Sequence, residues 1–246
     1  MGVVLTKIKR AMKTQGLAFV ITRSVTRLGD WWRTRRALRS KPRFDSIDAL
    51  LDFSLGKEGA FIRPFQFRSE IQSLLGVVQA ICPQKILEIG TANGGTLFLW
   101  TRVAAETAQI ISLDLPTGDF GDGYPAWKSP LYRSFALPKQ KIDLLRDDSH
   151  SARSLAAVRE KLKDQQLDFL FIDGDHSYQG TKQDFEMYSP LVRKGGIVAF
   201  HDIADHTDQL CQVRKFWLEV KERFPSQEFI ENQNQGWGGI GYITVT

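Results

Sequence analysis

Two apolar runs end in side chains that could share one piece of chemistry. Leu167–Ile172 runs into Asp173-Gly-Asp-His176, and Ile197–Phe200 runs into His201-Asp202. If the runs are neighbouring buried strands, Asp173, His176, His201 and Asp202 meet on one rim. Two carboxylates held together repel unless something positive lies between them, and a divalent ion answers that need. Asp173 and Asp202 are hard oxygen donors. His201 adds a nitrogen, which moves the preference from Mg²⁺ toward Mn²⁺ or Fe²⁺. His176, three residues beyond Asp173, is expected to titrate near neutrality and to take a proton from a bound hydroxyl. The alternative is that His201 and Asp202 only begin a loop and hydrogen-bond its backbone.

A second constellation lies upstream, in Lys85-Ile-Leu-Glu-Ile-Gly-Thr-Ala-Asn-Gly-Gly95. An apolar strand there passes through Glu88 into a turn, Gly90, Thr91, Asn93, Gly94, and a helix follows from about residue 96. Gly90, Gly94 and Gly95 allow positive φ and close approach of a ligand to the backbone. The first turn of the helix directs unpaired N–H groups at that space. Glu88 disfavours a phosphate guest and favours a cationic one, an ammonium or a sulfonium. The glycine order also differs from the G-x-G-x-x-G of dinucleotide sites. About 25 residues later Asp114 closes the next strand, where a carboxylate accepts ribose hydroxyls. Asp148 and Ser149 follow a third strand and suit the amino group of an adenine, or else cap the next helix.

The elements that must position these groups alternate. Strands are expected at 85–90, 109–114, 141–145, 167–173, 196–201, 226–231 and 239–245. Helices are expected near 67–81, 96–106, 151–163, 178–190 and 208–223. Such alternation predicts an α/β fold, a mainly parallel doubly wound sheet with helices on both faces and ligands at the carboxyl ends of the strands. The segment Thr117–Trp127, glycine-rich and carrying Tyr124 and Trp127, reads either as a lid over the substrate or as a plain insertion. Cys82 and Cys211 have no metal-type spacing and read as small core residues in a reducing, cytoplasmic setting.

Charge divides the chain in two. Residues 1–45 hold 12 Lys and Arg against Asp30 and Asp45, whereas residues 46–246 carry 21 basic and 26 acidic side chains. The leader is thus +10 and the remainder −5. Val4, Ile8, Met12, Phe19, Val20, Val25, Leu28, Trp31 and Trp32 follow helical spacing in part, among Lys7, Lys9, Arg10, Lys13, Arg23 and Arg27. We read 1–45 as a basic amphipathic extension for the cytoplasmic face of an anionic membrane or for a partner, and 46–246 as the folded domain. Nucleic acid ranks below both, because no recognition motif accompanies Arg33-Thr-Arg-Arg36. No apolar run is long enough to span a bilayer.

Taken together, Ile86-Leu-Glu-Ile-Gly90, Asp114, Asp148-Ser149, Phe171-Ile-Asp-Gly-Asp-His-Ser-Tyr178 and Lys194-Gly-Gly-Ile-Val-Ala-Phe-His-Asp202 resemble the class I S-adenosylmethionine-dependent methyltransferases. Within that class the chain is similar to the cephalosporin-hydroxylase-like and macrolide-sugar O-methyltransferases, over about residues 60–245. The resemblance implies a Rossmann-like seven-stranded sheet with one antiparallel strand. It implies that Glu88, Gly90, Thr91, Asn93 and Gly94 hold the methionine end of S-adenosyl-L-methionine, Asp114 the ribose, and Asp148 with Ser149 the adenine. It implies a divalent cation on Asp173 and Asp202, with His176 as base; at His201 the sugar-modifying relatives usually carry an acid. The expected reaction is methyl transfer to a hydroxyl of a sugar or other small polyol, free or on a glycan. A homo-oligomer is compatible with the sequence. Two alternatives are an NAD-linked oxidoreductase and a membrane-tethered cofactor-binding protein without turnover.

Overall fold

The computed structural model describes residues 17–116 and 123–246, with side chains from residue 26 onward. The expectations for residues 1–16, and for 117–122 in the middle of the glycine-rich segment, lie outside the described residues.

Seven strands form one sheet: β1 (Lys85–Ile89), β2 (Gln109–Asp114), β3 (Lys141–Arg146), β4 (Leu167–Ile172), β5 (Val192–His201), β6 (Ser226–Phe229) and β7 (Ile240–Thr244). Their order is β3-β2-β1-β4-β5-β7-β6. Strands β1 to β5 pair in parallel, and β7 runs antiparallel to both β5 and β6. This is the expected α/β sheet with one antiparallel strand. Strand order reverses between β1 and β4, so their carboxyl ends flank the crevice where ligands sit in wound sheets.

Side chains alternate across the sheet with period two. Ile86, Ile110, Phe169, Phe171, Ile197 and Ala199 enter the core on one face, while Leu87, Ile111, Leu170, Ile172, Val198 and Phe200 enter the core on the other. The first face is covered by α1 (Leu17–Leu38), α2 (Ile47–Leu55), α3 (Arg68–Ile81), α4 (Gly95–Val103) and α5 (Ser129–Arg133). The second is covered by α6 (Ala152–Leu162), α7 (Tyr178–Tyr188) and α8 (Val213–Lys221). Among the described residues no helix is long and apolar enough to cross a membrane.

Several expectations change. Helices α2 and α5 do not appear among the helices expected from sequence, although Ser46 caps α2 by accepting from the Ala49 N–H at 3.1 Å. The last helix starts at Val213 and not near 208; just before it the Gln212 N–H donates to the His176 carbonyl at 2.7 Å. Cys82 is exposed at the end of α3 in a left-handed conformation, so it is not a core residue. Tyr124 is fully buried against Tyr132 at 4.8 Å between ring centroids, which makes it core and not lid.

The described part of the basic leader packs on the domain. Thr34 Oγ1 accepts from the Phe61 N–H, Lys41 Nζ donates to the carbonyls of Ser134 and Ala136, and Arg102 Nε donates to the Pro42 carbonyl. Leu38 is buried. The change near residue 45 is therefore one of composition, while packing continues across it.

Candidate active site

The turn after β1 is held open by backbone geometry and one carboxylate. Gly90 has φ 88°, and a Cβ there would collide with the carbonyl of Asp173. Gly94 has φ 82° and lies against the Tyr132 ring, while Gly95 is not left-handed and abuts the Ile62 carbonyl. The glycines thus admit neighbouring segments of the protein, where a ligand approach was expected. Ala92, a residue with a side chain, also holds a left-handed φ of 43°, a conformation that persists only when its surroundings impose it. Those surroundings are visible. Asp114 Oδ2 accepts from the N–H groups of Thr91 at 3.0 Å and Ala92 at 2.8 Å, Oδ1 accepts from Leu115 N–H at 2.8 Å, and Tyr132 donates its hydroxyl to the Ala92 carbonyl at 2.7 Å.

Glu88 is not on the rim. Period-two alternation carries it into the core on the α4 face, where Oε1 accepts from Trp100 Nε1 at 2.8 Å and Oε2 is buried with no hydrogen-bond partner. Burial is the largest influence and lifts this carboxyl to about 7, while the nearby polar side chains of Thr96, Thr91 and Trp100 oppose the rise. An orphaned, half-ionised oxygen beneath the turn fits a cationic group better than a phosphate. Asn93 accepts from Lys128 Nζ at 3.2 Å. Burial, with Arg27 nearby, pushes that ammonium down to about 8.

Beyond the end of β3, Asp148 is an exposed turn acid whose Oδ1 accepts from the His150 N–H at 2.9 Å. The helix cap is Ser151, which accepts from the Ser154 N–H, so neither Asp148 nor Ser149 serves as the cap. Ser149 is fixed through its carbonyl, which accepts from the Tyr188 hydroxyl at 2.7 Å. Beneath this turn His150 Nε2 lies 3.3 Å from the buried Asp184 Oδ1. That contact raises the His150 imidazole to about 9.

Asp173, His176, His201 and Asp202 do converge. His201 Nδ1 lies 3.2 Å from Asp173 Oδ1 and 3.5 Å from Asp202 Oδ1. His176 Nε2 lies 3.5 Å from Asp173 Oδ1 and 3.6 Å from Asp202 Oδ2. Gln66 Nε2 donates to Asp173 Oδ2 at 3.0 Å, and the Gly238 N–H donates to Asp202 Oδ1 at 2.9 Å. Asp202 is left-handed, φ 61°, which turns its carboxylate back toward Asp173. Burial alone would raise both carboxyls; the His201 and His176 imidazoles outweigh it and hold both below the usual range. Burial alone would lower both histidines, and the carboxylates instead lift His201 well above its ordinary value and His176 to about 9. His176 therefore does not titrate near neutrality while the two carboxylates face it uncompensated.

The set also fits a metal. One donor atom each from Asp173, His201 and Asp202 lie within 4.8 Å of one another, and the buried His201 Nε2 has no hydrogen-bond partner. Two carboxylate oxygens and one imidazole nitrogen suit Mn²⁺ or Fe²⁺. Spacing in the sequence did not reveal Cys211, whose Sγ lies within the same 4.8 Å of donors on His176 and Asp202. Burial pushes this thiol up to about 12. Lys128 and Tyr132 are further site residues that sequence reasoning did not assign, because each arrives through space from another element.

Comparison with solved structures gives the fold. The chain superposes on an O-methyltransferase from Bacillus cereus in complex with SAH, with a TM-score of 0.56 and 19% identity over 82% of this chain and 92% of that one. The fold is that of the class I methyltransferases. More particularly, residues 87–203 match the methyltransferase domain family, a span that runs from β1 through Asp202 and contains Glu88, Asp114, Asp148, Asp173, His176 and His201. The chain is 25% identical over 170 residues to an uncharacterized protein of Sinorhizobium fredii and 29% identical over 150 residues to one of Acanthamoeba polyphaga mimivirus. Those matches span 18% and 65% of the relatives' own lengths.

Proposed function

We propose that the protein is an S-adenosylmethionine-dependent O-methyltransferase acting on a hydroxyl of a sugar or similar small polyol, with a divalent cation at Asp173, His201 and Asp202. The observation that carries the reading is the contact between the two halves of the site. Asp173 donates its N–H to the Ile89 carbonyl at 2.8 Å, so the turn that receives the cofactor and the acid–histidine cluster form one rim.

When bound, S-adenosylmethionine supplies a methyl group activated by its sulfonium. Asp114 takes the ribose hydroxyls, Asp148 and Ser149 the adenine side, and Glu88 balances positive charge beneath the turn. Asp173, His201 and Asp202 would hold the cation, which lowers the charge that develops on the acceptor oxygen. His176 Nε2 accepts the hydroxyl proton as the oxygen–carbon bond forms and the sulfur–carbon bond breaks. It can do so only when the facing carboxylates are charge-balanced, since otherwise they keep the imidazole protonated. Holding the acceptor in line contributes several kcal/mol, on the order of 7 in favourable cases.

A ring-bearing acceptor is favoured by two exposed aromatic side chains that adjoin, along the chain, residues holding the cluster. Phe65, 62% exposed, precedes the Gln66 that holds Asp173, and Trp237 precedes the Gly238 that holds Asp202. Trp237 is itself braced on Phe67 at 4.4 Å between centroids. Flat apolar faces beside polar groups suit the C–H face of a pyranose. The test is calorimetry with S-adenosylmethionine, followed by methyl transfer to a panel of sugars and polyols with Mn²⁺ or Mg²⁺ present. Absence of cofactor binding at about 1 mM, a Kd scale of roughly −4 kcal/mol, removes the proposal.

A further inference from the structure

We infer that the outer face of α1 is a docking surface for an anionic lipid bilayer. This surface is independent of the methyl-transfer reading.

Helix α1 uses one stripe to bind the domain and leaves another free. Trp31, Thr34 and Leu38 face inward, whereas Leu28, Trp32, Arg35, Arg36 and Arg39 are exposed. The exposed set falls at spacings of four, three and one residues along the helix and so forms a single stripe. Trp32 is 55% exposed, and with Arg33, Arg35, Arg36 and Arg39 it lines a shallow notch of about 410 Å³. Among the described residues, Arg35, Arg36 and Arg39 have no carboxylate partner; Arg35 instead lies over the rings of Trp31 at 5.0 Å and Trp32 at 5.9 Å.

Arginines alone would suit any polyanion. A large apolar side chain at the centre of the stripe, with Leu28 one turn before it, distinguishes a bilayer interface: apolar groups enter the acyl boundary while guanidiniums stay at the lipid phosphates. A duplex offers its phosphates but no apolar layer to receive Leu28 and Trp32.

The helix also runs toward the site. Its end at Leu38 lies near Pro42, which accepts from Arg102 on the last turn of α4. Thr34 meets Phe61, next to the Ile62 whose carbonyl abuts Gly95 at the first turn of α4. Arg27 is close enough to Lys128, at the cofactor turn, to lower its affinity for a proton. From Leu38 to Arg27 the helix therefore climbs from the base of α4 to the site rim. Leu17–Thr26 continue from that point, about 15 Å of helix at 1.5 Å per residue. Trp127, 59% exposed and 6.1 Å from Phe61 between centroids, stands at the same end. A bilayer along this stripe would place the site mouth beside the membrane surface, within reach of an acceptor anchored there.

The test is flotation of the full chain with vesicles of phosphatidylcholine alone and with about 30% phosphatidylglycerol. Binding is expected only to the anionic vesicles, and Arg36→Ala with Arg39→Ala should weaken it about 25-fold, roughly fivefold for each arginine. Trp32→Ala should remove the part of the binding that survives about 1 M salt, where the Debye length is about 3 Å. Both variants change exposed side chains, and unaltered thermal unfolding will show that the fold is intact. Equal binding by folded variants and parent would overturn the inference. So would binding to a duplex oligonucleotide without binding to anionic vesicles.

Discussion

Glu70 and Gly239, distant in the chain, are joined by a hydrogen bond in which the Gly239 N–H donates to Glu70 Oε2 at 2.9 Å. Glu70 Oε1 accepts two more, from the Glu231 N–H at 3.1 Å and Gln235 Nε2 at 2.7 Å. A single buried carboxylate on the first turn of α3 thus organises the whole loop between β6 and β7. That loop carries Trp237 and the Gly238 that holds Asp202, so one rim of the candidate site depends on Glu70.

Replacing Glu70 should accordingly cost both stability and site order. Glu70→Ala leaves the Gly239 N–H buried without an acceptor, a loss of about 3 kcal/mol that urea unfolding will register. Hydrogen exchange across residues 231–239 should accelerate in the same variant. Glu70→Gln, which keeps one acceptor oxygen, should show roughly half the loss. An unchanged unfolding midpoint in Glu70→Ala would show that the loop is organised by something else.

Cofactor affinity should depend on pH through Glu88. This carboxyl is lifted to about 7 by burial, so a cationic ligand near it competes with a proton. Binding of S-adenosylmethionine should tighten as pH rises through 7 and weaken toward about tenfold per unit well below it. Glu88→Gln preserves an acceptor for Trp100 Nε1 and should flatten the profile. Calorimetry in buffers of different ionisation enthalpy reads the released proton directly; a parent profile as flat as that of the variant would sink the idea.

Much of this arrangement was readable from residue order. Apolar runs of strand length, each ending in a polar group, were enough to place Asp114, Asp173 and His201-Asp202 along one edge, because a wound parallel sheet aligns its carboxyl ends. Glu88 was misplaced for a related reason: it sits inside a strand of which every second side chain enters the core, and its partner, Trp100, lies on the next helix. Cys211 was not recognisable as a site residue, since its contacts with His176 and Asp202 close over long sequence separations and no local pattern marks it. Ser46, three residues before Ala49 and opening an apolar helical pattern, is a local start signal for α2.

The pair His150–Asp184 should make stability fall in mildly alkaline solution. The buried Asp184 carboxylate, 3.3 Å from the imidazole, raises His150 from 6.5 to about 9. A histidine raised on folding contributes its stability fully below its unfolded value and loses it as pH rises through the folded value. The loss should fall between pH 6.5 and about 9 and be on the order of 2 kcal/mol. Because His176 is raised over the same window, the contribution of His150 is isolated by comparing parent and His150→Gln. Denaturation curves at intervals across that range should differ in slope between the two, and parallel curves would show that the pair contributes nothing.

Two cations compete for the space between Asp173 and Asp202: a divalent ion, and the His201 imidazolium, whose Nδ1 already lies 3.2 Å and 3.5 Å from the two carboxylates. The donor set favours the ion when it is present, because His201 then gives up its proton and becomes a ligand instead of a counter-ion. Chelation should therefore abolish methyl transfer, and Mn²⁺ or Fe²⁺ should restore it more fully than Mg²⁺. His201→Asp replaces the nitrogen by a hard oxygen and should move that preference toward Mg²⁺. Asp173→Asn removes a ligand charge and should weaken metal affinity by at least tenfold, measured by isothermal titration of the chelated protein with Mn²⁺. If the chelated enzyme turns over at the parental rate while His201→Asp is inactive, the imidazolium is the working cation and the metal assignment fails.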